Sequence, residues 1–140
     1  MTIFKTAASI EKLNENSDTN MLGHLGIEFV EIGDDFLVAK MPVDNRTKQP
    51  LGLLHGGASV VLAETLGSIA ANLCVDNTKQ YCVGLDINAN HLKSVREGFV
   101  YGKTTPIHIG KTTQVWEIRI TDDKQNLVCI SRLTVAIISF

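Results

Sequence analysis

Between Lys48 and Asp76 the chain reads Gln49-Pro-Leu-Gly-Leu-Leu-His55-Gly-Gly-Ala-Ser-Val-Val-Leu-Ala-Glu64-Thr-Leu-Gly-Ser-Ile-Ala-Ala-Asn-Leu-Cys-Val75, and its only formal charge is Glu64. A run this long and apolar raises the question of a membrane span. The central carboxylate, the glycines around the start of the run and the many Ala and Ser residues argue against a span and for a helix of a soluble domain. That helix is predicted over Ala58 to Cys74. It is hydrophobic almost all round, so most of its surface is expected to be buried, with a sheet wrapped about it.

The flanking sequence supplies that sheet. In Val83-Gly-Leu-Asp-Ile-Asn-Ala-Asn90 apolar and polar residues alternate strictly, the period of a strand with one face on a core. Gly98 to Thr104, Thr113 to Ile120 and Leu127 to Ile138 are rich in Val, Ile, Thr and aromatics, and are separated by Pro106 to Gly110 and by the turn Asp122 to Asn126. Upstream, Ile27 to Ile32 and Phe36 to Met41 flank Gly33-Asp34-Asp35, a hairpin signal, and Ser9 to Glu15 read as a short helix. Strands, one long helix and several long strands describe an α+β domain, an antiparallel β-sheet curled round one long central α-helix. No linker, repeat or low-complexity tract divides residues 1–140, so a single domain is expected.

Composition narrows the function classes. The 140 residues are 44% apolar and 20% charged, with 13 basic against 15 acidic side chains, and this near-neutral balance lacks the basic excess of a nucleic-acid binder. Cys74, Cys82 and Cys129 lie in apolar runs without a CxxC spacing, which reads as reduced core thiols rather than a disulfide framework. The four histidines form no HExxH or Cys/His cluster, so no metal is expected. The N-terminal residues contain no apolar stretch of a secretory signal, and a cytoplasmic location is expected.

Three features carry chemistry. Glu64 sits midway along the predicted helix, where a buried carboxylate is costly unless paired or employed, and its neighbours at i±3 and i±4 are Val60, Val61, Gly67 and Ser68. None is a cation, and Ser68 is the one polar group on that face. His55-Gly56-Gly57 places two glycines where the first helical N–H groups lack intrahelical partners; the segment is either an anion- or carbonyl-binding start or a flexible turn, with His55 a cap or a packed side chain. Between Ile87 and Trp116 the bases Lys93, Arg96, Lys103 and Lys111 face one acid, Glu97, whereas the first 40 residues hold seven acids and three bases. Such a strip suits a small polyanion such as a nucleotide phosphate, or is a set of solvated strand faces.

Geometry adds a constraint. Gly56 and Glu64 are eight residues apart, roughly 12 Å along a helix rising ~1.5 Å per residue, too far to act together on one small reacting group. If they cooperate, they come from different subunits, as two antiparallel helices related by a two-fold axis allow.

The segment from Met41 to Ser68, with its HGG and downstream Glu and Ser, followed by Val83-Gly-Leu-Asp-Ile-Asn-Ala-Asn-His-Leu-Lys-Ser-Val-Arg-Glu-Gly98, resembles the hotdog-fold thioesterases, in the branch with a catalytic glutamate on the central helix. The resemblance covers the chain from about residue 10 to the C-terminus. It implies an acyl-CoA thioesterase without metal or redox cofactor, acting on an aromatic or cyclic acyl group. The first candidate substrate is 1,4-dihydroxy-2-naphthoyl-CoA of menaquinone synthesis; the alternative is proofreading release of misloaded aryl groups from a carrier protein. It further implies homodimers paired into tetramers, with active sites between subunits. Carried over, Glu64 activates water or attacks the thioester, the Gly56 N–H and the Gln49 side chain hold its carbonyl, His55 orients that carbonyl or the leaving thiolate, and Ser68 positions Glu64. The CoA arm is implied to lie along Gly84, along His91, Leu92, Lys93 and Ser94, and along the turn His108, Ile109, Gly110, Lys111, Thr112 and Thr113. Lys93 stands where the family pattern has arginine, and Thr113 where it has histidine.

Overall fold

Alternating side chains build the sheet. In the computed structural model, which describes residues 1–140, the strands are β1 (Glu28–Ile32), β2 (Leu37–Pro42), β3 (Gln80–His91), β4 (Phe99–Ile109), β5 (Thr113–Asp122) and β6 (Leu127–Ser139). They form one antiparallel sheet in the order β1-β2-β4-β5-β6-β3. On its inner face Leu37, Ala39, Met41, Val100, Trp116, Ile118, Ile120 and Leu133 are fully buried, while the residues between them point to the outer face. The long helix α3 (Gly56–Leu73) crosses this inner face and packs against β2, β3, β4, β5 and β6. Small residues let it lie close. A methyl group on Gly67 would meet Leu133 at 2.6 Å, and one on Gly102 of β4 would meet Leu66 at 2.5 Å.

Three expectations need correction. The sequence reads Pro106 as part of a break between strands, yet β4 runs through it to Ile109. β2 pairs with β4 only as far as Thr104, so beyond that point β4 has no neighbour on that side to miss the proline's absent N–H, and a bulge between Pro106 and His108 absorbs the ring. The strictly alternating β3 does not lay all its apolar residues on the core, because it is an edge strand with an irregularity between Gly84 and Asp86, leaving Val83 and Leu85 exposed while Ile87 and Ala89 pack inward. Finally, α3 is covered on one side only. Ala58, Ser59, Leu62, Ala63, Leu66, Gly67, Ala70, Ala71 and Leu73 are buried, whereas the opposite stripe of Val60, Val61, Glu64, Thr65, Ser68, Ile69 and Asn72 is half-exposed. The covered face is almost wholly apolar, whereas the uncovered stripe mixes Val60, Val61 and Ile69 with the polar Glu64, Thr65, Ser68 and Asn72.

The N-terminal helix forms as α1 (Ile10–Asn14), with the Ser9 hydroxyl accepting from the Lys12 N–H at 3.1 Å. A further short helix, α2 (Met21–Leu25), lies between it and β1. All three cysteines are buried and unpaired; burial, with Cys82 close by, pushes the Cys74 thiol up to about 11.

Candidate active site

The start of α3 is held by the loop before it. The buried Thr47 hydroxyl donates to the Pro42 carbonyl at 2.7 Å, and the Thr47 carbonyl accepts from the His55 N–H at 2.8 Å. His55 is the N-cap: its Nδ1 accepts from the Gly57 N–H at 2.8 Å, which leaves Nε2 to carry the imidazole proton. Its carbonyl takes the N–H groups of Ala58 and Ser59 at 3.0 and 3.3 Å. The Gly56 N–H alone is left without an acceptor in the chain. Gln49 accepts from the Leu51 N–H through its side-chain oxygen, so its amide nitrogen is free to donate. Two donors without partners therefore open on one cavity of about 360 Å³, which Gln49 and Gly56 line together with His91, Leu92, Lys93 and Ser94. His91 fits here because residue 56 is glycine: a Cβ at that position would lie 2.8 Å from its Nε2.

Glu64 belongs to a second cavity. This one, of about 550 Å³, is lined by Glu64, Thr65, Ser68 and Gly84, and by the apolar Met21, Leu22, Val61 and Ile69. The Glu64 carboxylate forms no ion pair and no hydrogen bond within the chain. It is brought to β3 by Asn72, whose side chain both accepts from the Cys82 N–H at 2.8 Å and donates to the Cys82 carbonyl at 3.3 Å. Gly84, two residues on, then faces the carboxylate. The same Asn72 amide donates to the Ser68 carbonyl at 2.9 Å, so one side chain links the helix face to the edge strand.

The residues expected along a CoA arm are not brought together within one chain. His91 pairs across β6 with Cys129, at the far end of β3 from Gly84, seven residues or roughly 23 Å of strand away. The turn from Gly110 to Thr112 lies at the Gly84 end instead, since Thr113 and Val83 both register with Ala136. His108 and Ile109 close β4, and Thr113 opens β5. Lys93 is not free. Its Nζ donates to Asp122 Oδ2 at 2.7 Å, and this ammonium, seconded by the N–H of Asn126, holds the Asp122 carboxyl well below the usual carboxylate range. No three His, Cys, Asp or Glu side chains converge on a point that could hold a metal ion.

An acid with nothing to neutralise it, midway along a helix laid against an antiparallel sheet, and a pair of vacant N–H donors, one at the start of that helix and one in the loop before it, describe acyl-transfer chemistry. Residues 51–129 match the family model described as the thioesterase superfamily. The chain belongs to the thioesterase superfamily. The thioesterase is 57% identical to the 1,4-dihydroxy-2-naphthoyl-CoA hydrolase of Escherichia coli strain K12, over 97% of this chain and 99% of that protein. It is 48% identical to the proofreading thioesterase EntH of Cronobacter turicensis, over 96% of this chain and 98% of that protein. The crystal structure of a Q49A mutant thioesterase from Pseudomonas aeruginosa matches it with a TM-score of 0.97 at 48% identity, covering 99% of this chain and 100% of that one. The resemblance read from the helix segment is borne out: this is a hotdog-fold thioester hydrolase.

Sequence reasoning missed Asn72 and the apolar wall from α2. Asn72 carries no signal beyond being polar on an otherwise apolar helix. α2 did carry one, Asn20 before it and Gly26 after it, the residue types of a helix start and stop.

Proposed function

We propose that the thioesterase hydrolyses an aromatic or cyclic acyl-CoA to the free acid and CoA at two composite sites of a homodimer, with water as co-substrate and neither metal nor redox cofactor. Glu64 of one subunit activates water or attacks the thioester carbonyl, with Ser68 beside it. The Gly56 N–H and the Gln49 amide of the partner subunit hold the developing oxyanion, and His55 orients the carbonyl or the leaving thiolate. Each such donor contributes on the order of 3 kcal/mol to transition-state stabilisation. His91 to Ser94 of one subunit and Gly84 with His108 to Thr113 of the other flank the CoA arm.

The single observation that carries this reading is the separation of the vacant donors and the unpaired carboxylate into different cavities on one helix. Two copies placed antiparallel would superimpose each donor set on the other copy's acid. The half-exposed stripe of α3 and the long edge strand β3, with Tyr81, Val83 and Leu85 exposed, offer the surface for that pairing, and a dimer of dimers is the larger assembly we expect. Identity with the Escherichia coli hydrolase favours 1,4-dihydroxy-2-naphthoyl-CoA as substrate, and with it menaquinone synthesis in the cytoplasm. Three buried free thiols fit a reducing compartment, and no helix is long and apolar enough to cross a membrane. A second reading, release of misloaded groups from an acyl or aryl carrier protein, rests on the identity with the proofreading thioesterase.

The test is thiol release from a panel of aryl- and alkyl-CoA esters and the same acids on a carrier protein, using wild type, Glu64→Gln and Glu64→Ala. Both variants are expected to lose at least about 100-fold in kcat with KM changed less, as when a transition-state group is removed. Near-wild-type turnover by Glu64→Ala would overturn the role of Glu64; activity confined to carrier-bound esters would decide for the second reading.

A further inference from the structure

The cavity at Glu64 has a wall that the catalytic set does not use. Its floor is one stripe of α3, in which Val61, Glu64, Thr65, Ser68 and Ile69 recur at helical spacing, and its side is α2, which presents Met21 and Leu22. Met21 is 57% exposed although apolar, and it stands on a helix that cannot drift. At one end Asn20 caps α2, its Oδ1 accepting from the Leu22 N–H at 3.1 Å while its amide donates to the Asn16 carbonyl at 2.7 Å. In the middle Gly23 lies so close to the preceding turn that an added Cβ would sit 2.0 Å from the Ser17 carbonyl oxygen. At the other end Gly26, at φ 72°, reverses the chain, and the Ile27 N–H returns to the Leu22 carbonyl at 2.9 Å before β1 begins. Only glycine is free of strain at that φ. Five residues do not make a stable helix alone, so this one exists because it is fastened at three points.

A rigid apolar wall beside an open carboxylate, bounding a volume within the usual ~300–1,000 Å³ of ligand sites, is what sorts acyl groups. We propose that Met21, supported by Leu22, is a specificity-determining residue: it packs against the acyl group of the thioester, on the side away from the partner subunit's oxyanion donors, and favours a flat apolar group of ring size. The inference rests on the thioesterase reading and adds to it the element that reads the acyl group. A methionine serves here because its unbranched, polarisable thioether adapts to a ring face.

The experiment measures kcat/KM for 2-naphthoyl-CoA and propionyl-CoA with wild type, Met21→Trp and Met21→Ala. Met21→Trp narrows the cavity with a larger, rigid side chain and is expected to lower the naphthoyl-to-propionyl ratio by about tenfold or more, the scale on which pocket contacts discriminate. Met21→Ala removes the ring contact and is expected to raise KM for the naphthoyl ester alone. Because the side chain is exposed, both variants should melt with wild type. An unchanged ratio in both variants, or an equal fall on both esters, would overturn the proposal while leaving the thioesterase reading intact. A wild type inactive on both esters would overturn the proposed acyl-CoA substrate class and this inference with it, while leaving the family assignment intact.

Discussion

A methyl group on Gly84 would lie 3.0 Å from a carboxylate oxygen of Glu64, so the edge strand and the helix acid are in contact through the absence of a side chain. The atom in the way is the far end of a flexible chain, so Gly84→Ala moves the carboxylate rather than the fold. We expect Gly84→Ala to fold as wild type by circular dichroism and melting, and to lose about 10- to 100-fold in kcat, the scale on which sub-ångström to 1 Å misplacement acts. Unchanged turnover would place the working position of the carboxylate elsewhere.

The proposed sharing of sites between subunits is open to complementation. Gln49→Ala and Glu64→Ala are each expected to be nearly inactive alone. Co-refolded in equal amounts, half the dimers pair one of each, and each mixed dimer regains one intact site of two, so roughly a quarter of wild-type activity should return. No recovery in a mixture shown by mass spectrometry to contain mixed dimers would mean that each site is built from one chain.

Asn72 satisfies both backbone groups of Cys82 as well as the Ser68 carbonyl. Asn72→Ala strips these partners from partly buried groups and is expected to destabilise the protein by about 1–3 kcal/mol in chemical denaturation. Its kcat should fall as well, since β3 loses its tie to the helix that carries Glu64. Wild-type stability would show that water replaces the amide without loss.

Asp122 makes stability depend on pH. Its folded-state pKa is depressed, chiefly by Lys93 and then by the Asn126 N–H, so folding favours its ionised form. The stabilisation is complete above the unfolded-state carboxylate pKa of about 3.9 and drains away as pH falls from there through the lower folded value. The difference in Tm between wild type and Asp122→Asn should therefore be constant from about pH 5 to 8 and shrink below about pH 4. A difference that persisted undiminished at low pH would assign the effect to the turn geometry, in which Asp122 also accepts from the Lys124 and Asn126 N–H groups at 3.0 and 2.9 Å, rather than to charge.

Most of the architecture was legible because hydrophobic periodicity is a local property. The alternation in Thr113 to Ile120 and the apolar run after Gly57 each name their element without reference to the rest of the chain, and the structure places β5 and α3 there. Glu64 stood out for the same reason, a lone charge within a neutral stretch, and the spacing from Gly56 means that the two can serve one site only if they come from different chains. The readings that failed depend on neighbours. Pro106 reads as a break until β4 is seen to outrun its partner β2, and the alternation of Val83 to Asn90 reads as a covered face until β3 is seen to be the edge.

The sequence by itself determined most of the strands, the long helix and the lone acid within it, because these follow from side-chain period and local charge, and it left the helix start open between a binding site and a turn. Only the tertiary structure decided which residues share a cavity. It put Gln49, Gly56 and His91 at one end of the helix and Glu64, Ser68 and Gly84 beside α2, and it paired Lys93 with Asp122, 29 residues away. Contacts between distant segments depend on strand order and register, and neither is encoded in any one stretch of the chain.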